Sequence, residues 1–214
     1  MTVAFGSGPV YLALFAVWAY WLGVSVMAVR ARLQGTRNAG LMPGQALEKV
    51  MWIAWVPVIA GWILFPWFAL SKDEFPWQLP QVVLEGGFWL GLRWFAAAAA
   101  WMCFAATIYC WRWMGTNWRV AVTADSPTDL ITGGPFSRFR HPIYALSITM
   151  IWCTSVAAPS WPMLAAALVH TILMNLKARN EERWMLQAHG NAYAEYQQRT
   201  WRFLPLRSES GHLS

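Results

Sequence analysis

Two short stretches near the C-terminal end hold the residues with the greatest capacity for chemistry. The first reads Gly133-Gly134-Pro135-Phe136-Ser137-Arg138-Phe139-Arg140-His141-Pro142-Ile143-Tyr144. Two glycines and a proline shape a loop, and Pro142 suits the first turn of a helix, where its missing N–H breaks no hydrogen bond. The helix N-terminus formed there presents free N–H groups and the positive end of its dipole. Flanked by Arg138 and Arg140, it attracts a carboxylate or phosphate. A capped membrane helix with arginines at its cytoplasmic end carries the same residues, so this loop needs a partner before it defines a site.

The second stretch supplies candidates for that partner. Asn175, Arg179 and Glu182 are four and three residues apart, the spacing of one helical face, and Thr171 extends that face. His170, Lys177 and Glu181 form a neighbouring stripe by the same rule, so polarity grows toward one end of the helix. The adjacent pair Glu181-Glu182 falls close to a membrane surface, where anionic headgroups disfavour carboxylates and bound cationic groups would relieve the cost. Beyond it, Trp184, Met185, Ala188, Tyr193, Tyr196, Trp201 and Phe203 alternate with polar residues, the pattern of an amphipathic segment lying on the interface. Tyr193 and Tyr196 suit interfacial anchoring and a site equally well.

The elements that must position these residues are written in the composition. Of 214 residues 57% are hydrophobic and 12% charged, far from a soluble average. Apolar segments from about Val10 to Val29, Val50 to Leu70 and Phe88 to Trp111 are each close to the ~20 residues that cross a hydrocarbon core. A shorter pair, Pro142 to Ala158 and Trp161 to Leu176, is joined by the turn at Pro159, Ser160 and Pro162 and reads as a helical hairpin. The expected fold is therefore all-α and integral to a membrane. It has about five transmembrane helices, a C-terminal hairpin and cytoplasmic amphipathic helices. The chain forms one membrane domain over 1–214, with three N-terminal spans in 1–114 and the chemistry in 115–207. The stretch from Gly115 to Phe139 is the longest irregular segment and leads into the hairpin.

Charge sets the orientation. Of the sixteen basic residues, all but Lys72 and Arg93 fall on one side of this topology, Arg30, Arg32, Arg37 and Lys49 in the first loop and the rest between spans three and four or after span five. The positive-inside rule then places the N-terminus outside and the C-terminus in the cytoplasm. Arg93, within the third span, either snorkels to the interface or faces a polar cavity. The net charge of +6 comes from these separated clusters, which argues for membrane topology and against nucleic acid. Many of the seventeen tryptophans flank the apolar runs, as headgroup-level rings do. Cys103, Cys110 and Cys153 lie inside apolar runs as small buried hydrophobes, and the four histidines show no zinc-type spacing, so no metal is expected.

Taken together, Gly134-Pro135-Phe136, Arg140-His141-Pro142-Ile143-Tyr144, Glu181-Glu182, Gly190, Tyr193, Tyr196 and Pro205 resemble the isoprenylcysteine carboxyl methyltransferase family. The related phospholipid N-methyltransferases look similar over the same stretch. The resemblance covers roughly Leu130 to Pro205 and departs at Phe136, where the family commonly has Tyr. It implies an integral-membrane methyltransferase that uses S-adenosylmethionine. Gly134, Pro135, Arg140, His141, Tyr144, Glu181 and Glu182 would form the cofactor pocket at the cytoplasmic side, and Arg179 would face the acceptor. The implied partners are membrane lipids and a hydrophobic or lipid-linked methyl acceptor.

Physical chemistry agrees with that implication. A glutamate of the pair can accept from the cofactor's ammonium or ribose hydroxyls, while Arg140 and the Pro142 helix end suit its carboxylate. Arg179 can orient an anionic acceptor, and Glu182 can take a proton from a thiol or amine; a carboxylate acceptor needs no base. Two other readings share parts of the pattern. A membrane NADPH-dependent reductase of the sterol or enone type resembles the C-terminal layout but usually carries a different acidic pattern. A scaffold or transporter is disfavoured because the spans hold hardly any ionisable residues beyond Arg93 and His170.

Overall fold

The computed structural model describes residues 3–33, 46–68, 70, 79, 86–118 and 129–204. Among the described residues six α-helices follow in order: α1 Val3–Leu33, α2 Ala46–Phe68, α3 Gly87–Met114, α4 Pro142–Ala157, α5 Trp161–His189 and α6 Asn191–Arg199. Short 3-10 turns occupy Gly115–Asn117 and Gly134–Ser137, and the described residues form no strand beyond isolated bridges. Lys72, Asp73, Glu74, Arg37, Arg119, Pro205 and Arg207 lie outside the described residues.

Among the described residues three helical stretches are long and apolar enough to cross a membrane, Ser7–Leu33, Lys49–Trp67 and Gly87–Met114, and Pro142–Ala157 is a shorter apolar helix. Their outer faces expose Leu22, Val26, Ile53, Leu64, Phe95 and Met102. Water would not tolerate so continuous an apolar surface, and lipid does. The chain is an all-α membrane protein. The fifth expected span appears instead as the first half of α5. At about 1.5 Å per residue this helix is ~43 Å long, against ~30 Å of hydrocarbon, so one rod carries both an apolar half and a polar half.

Between helices the packing uses small residues, as expected where lipid and side chain are equally apolar. Ala13, Ala96, Ala97 and Ala157 form one buried cluster, and Gly8 and Gly23 of α1 lie against Trp94 and Trp111 of α3. A Cβ at Gly23 would stand 2.9 Å from the Trp111 ring. α1 packs on α2, α3 and α4, α3 packs on α4, and α5 packs on α2 and α4. The three residues Ala158 to Ser160 close the α4–α5 hairpin, and Ser160 caps α5 by accepting from Met163 N at 3.4 Å.

Two expectations become more specific here. Arg93 is buried within the bundle, and its Nε donates to Ala157 O at 3.1 Å. A cation at the α4 C-terminus meets the negative end of that helix's dipole, which explains its tolerance inside the bundle. The tryptophans also divide. Trp18, Trp67, Trp89 and Trp113 are exposed at the outer surface, but Trp62 is fully buried and donates to Thr154 Oγ1 at 3.2 Å.

Candidate functional site

The buried stripe of α5 runs Met174, Lys177, Ala178, Glu181 and Glu182, at three- and four-residue spacing. It therefore turns from apolar to ionic without changing direction. The facing loop is seated on the end of α3 by Gly134, whose φ of +58° favours glycine and whose Cβ, if present, would collide with the Trp113 indole. Ser137 Oγ donates back to Gly134 O at 2.7 Å and closes the 3-10 turn. Pro142 then opens α4 at its first position, as its chemistry predicts.

This places the two sequence stretches in direct contact. Arg140 Nε donates to Glu182 Oε1 at 2.9 Å, and Arg202 Nη2 donates to Glu182 Oε2 at 2.6 Å. Arg140 Nη1 also donates to the carbonyls of Gln197, at 2.9 Å, and Thr200. His141 lies between the glutamates, Nδ1 3.6 Å from Glu181 Oε2 and Nε2 3.4 Å from Glu182 Oε1. Tyr144 Oη donates to Glu181 Oε1 at 2.5 Å. Lys177 Nζ is 4.0 Å from the same oxygen and 5.6 Å from the ring centroids of both Trp55 and Tyr144.

A strap formed by residues 200–203 holds the loop. Arg140 N donates to Trp201 O at 2.8 Å, Trp201 N to Arg138 O at 2.9 Å, and His141 N to Arg202 O at 3.2 Å. Tyr196 Oη donates to Phe136 O at 2.6 Å. Burial pushes the Glu182 carboxyl up, but His141, Arg202 and Arg140 outweigh it and hold the group far below its ordinary value of 4.5. Burial raises the Tyr196 hydroxyl to about 12, so it remains a donor. The cations that relieve the paired carboxylates are thus largely the chain's own.

Beside this knot is a cavity of about 200 Å³, many times the ~10–15 Å³ that admits one water. Its charged lining residues are Asp129, Arg140, His141, Lys177 and Glu181, and Tyr193 and Tyr196 also line it. The rest of its lining is largely aromatic and aliphatic, with Tyr20, Trp21 and Val24 of α1, Trp55 of α2, Trp111 of α3 and Met174 of α5. The first two helices, which the sequence marked only as spans, thus form one wall.

The expected residues separate within this geometry. Arg140, His141, Tyr144 and Glu181 line the cavity; Glu182 lies behind it, inside the arginine clasp; Gly134 and Pro135 shape the loop that carries Phe136 into the wall. Arg179 is exposed and does not share the buried face of Glu182, because three residues on a 3.6-residue helix leave ~60° between them. Tyr193 and Tyr196 are buried cavity residues and not interfacial anchors. Lys177, Asp129 and Arg202 were not singled out by the sequence as site groups. Lys177 and Glu181 form one stripe by helical spacing, and that periodicity is the available signal.

Fold and site together define an all-α membrane protein with a chamber lined by both ionic and aromatic side chains. Residues 92–192 match the model of the phospholipid methyltransferase family. The match runs from the first turns of α3 into α6 and contains the loop, the hairpin and the glutamate pair. It supports the broader methyltransferase resemblance, and not the prenylcysteine branch in particular. A search of the curated proteins finds no match.

Proposed function

We propose that this protein is an integral-membrane methyltransferase that uses S-adenosylmethionine to methylate a lipid-like or prenylcysteine-like acceptor. The observation that carries the reading is the junction of the Arg140 to Tyr144 segment with Glu181 in a chamber whose remaining lining is largely aromatic and aliphatic. The family match over residues 92–192 supports it.

The donor set fits the cofactor. S-adenosylmethionine supplies a methyl group on a positively charged sulfur. Glu181 accepts from an ammonium or ribose hydroxyls, and Lys177, four residues earlier, faces a carboxylate. His141 Nε2 is buried and makes no hydrogen bond among the described residues, although Glu182 is close by. It is available to a ligand polar atom after a small rotation. Glu182, held between Arg140 and Arg202, positions the loop and does not take up protons, because its basicity is suppressed. Arg179, exposed where α5 leaves the apolar region, attracts an anionic acceptor toward the chamber.

Aromatic walls admit an apolar tail from between helices, and the ionic residues exclude it. That division aligns a water-soluble donor with a membrane-soluble acceptor, and alignment is a large part of what a protein contributes to in-line transfer. In this reading the basic ends of the helices and the ionic residues of the cavity face the cytoplasm, and 115–207 carries most of the catalytic region.

The test is transfer of labelled methyl from S-adenosylmethionine into membrane lipid extract by protein in nanodiscs. Labelled lipid should form with wild type and fall at least tenfold with Glu181→Gln. Absence of labelled product from any extract fraction with folded wild type would overturn the assignment.

A further inference from the structure

Inside the bundle, next to the chamber, is a hydrogen-bonded chain that the reading above leaves unused. His170 is fully buried on α5. Trp55 Nε1 donates to its Nδ1 at 3.1 Å, and its Nε2 lies 2.6 Å from Ser147 Oγ. An indole N–H can only donate, so Nδ1 is the unprotonated nitrogen and the neutral ring carries its hydrogen on Nε2. Ser147 Oγ is therefore the acceptor in its contact with His170. The Tyr20 hydroxyl of α1 lies close enough to Ser147 to interact with it, and both residues line the chamber.

Counting donors gives the direction of this chain. Tyr20 and Ser147 own one hydroxyl hydrogen each, and His170 offers no lone pair to either. At most one of the two hydrogens is used between the hydroxyls, and among the described residues neither hydroxyl donates to any other protein group in a hydrogen bond of normal geometry. One hydrogen is left over whichever way the pair is arranged, and the chamber is the space both residues share. Each bond in such a chain polarises the next, so the terminal O–H is a better donor than an isolated hydroxyl.

We infer that Tyr20 and Ser147, oriented by His170 and Trp55, form a donor subsite in the chamber for a hydrogen-bond-accepting oxygen of the ligand: a carbonyl, ester or carboxylate. This rests on the methyltransferase reading and deepens it, since Ser147 is about one helical turn further along α4 than Tyr144, on the side of the apolar helix where an acceptor would lie. The subsite disfavours an ammonium, which brings donors and no lone pair.

Matched probes separate the possibilities. Oleic acid and oleylamine share a tail and differ in the head; S-adenosylhomocysteine reports the ionic residues. Affinities of all three are measured by calorimetry in nanodiscs for wild type, Tyr20→Phe, Ser147→Ala and the double variant. Oleic acid should bind wild type more tightly than oleylamine does. It should weaken about tenfold in the double variant, the size of one hydrogen bond to a charged or polar oxygen, while S-adenosylhomocysteine changes less than twofold and so reports intact folding. Equal oleic acid affinity in wild type and double variant, or tighter binding of oleylamine, overturns the subsite. Loss of S-adenosylhomocysteine affinity with oleic acid unchanged also overturns it, by giving the hydroxyls to the cofactor. Wild type that binds oleic acid as expected but no S-adenosylhomocysteine overturns the methyltransferase reading and leaves the donor subsite standing.

Discussion

Replacing Glu182 with Gln removes the charge at the centre of the clasp and keeps its shape. The side chains of Arg140, Glu182 and Arg202 are 12%, 6% and 31% exposed. Removing one partner of a fully buried ion pair costs ~3–5 kcal/mol. Here the cost is lower, because Arg202 can turn to water, Arg140 retains the carbonyls of Gln197 and Thr200, and the Gln oxygen still accepts one bond. About 2 kcal/mol remains, which is ~30-fold in the equilibrium between docked and released strap. Trypsin cleaves after Arg199 and Arg202, and when opening is fast, cleavage follows the released population. Glu182→Gln in nanodiscs should therefore be cut ~30-fold faster than wild type, with Glu195→Gln, at an exposed carboxylate of α6, as the control. Equal cutting of Glu182→Gln and the control would refute the idea that this carboxylate holds the strap.

The same group predicts a pH response. Its folded value is depressed, so its contribution is fully present above the ordinary carboxyl value of 4.5 and declines as pH falls below it toward the folded value. Trypsin is inactive there, so pepsin cleavage within residues 199–203 is the readout, and Glu182→Gln should lose the pH dependence. Gly134→Ala combines a positive φ with a collision against Trp113 and should cost ~1–3 kcal/mol. Adding Trp113→Ala should restore only part of it, as measured by thermal unfolding. Arg93→Met leaves the α4 C-terminus without its buried donor and should lower stability by ~1–3 kcal/mol in the same assay, while affinity for S-adenosylhomocysteine is unchanged.

Legibility of the fold followed the strength of its physical signal. Long apolar runs and the proline-marked hairpin were readable because lipid imposes both length and hydrophobicity. Pro142 was readable as a helix start because its missing N–H restricts where it fits. Partners across helices were another matter. That Arg93 would meet the carbonyl of Ala157, and that Trp55 would meet His170, depends on how helices far apart in sequence pack, and helical periodicity carries no such information.

Within the site, the Arg140 to Tyr144 segment and Glu181-Glu182 were found from residue types, but the difference between the two glutamates was not. They are adjacent in sequence and so ~100° apart on the helix, which turns Glu181 to the chamber and Glu182 to the arginines. Arg202 escaped notice because it belongs to a short strap with no periodicity of its own. Tyr20, Trp21 and Trp55 escaped because an aromatic residue in a span is ordinarily packing.

Glu181 and Lys177 are central to the proposed cofactor site as its polar groups. Calorimetric titration of S-adenosylmethionine into the nanodisc-embedded protein tests this directly. Binding should be saturable at one site per chain, weakened at least tenfold by Glu181→Gln and unaffected by Glu195→Gln. Folded wild type that binds no S-adenosylmethionine, or a Glu181→Gln variant that binds as tightly as wild type, would contradict that assignment.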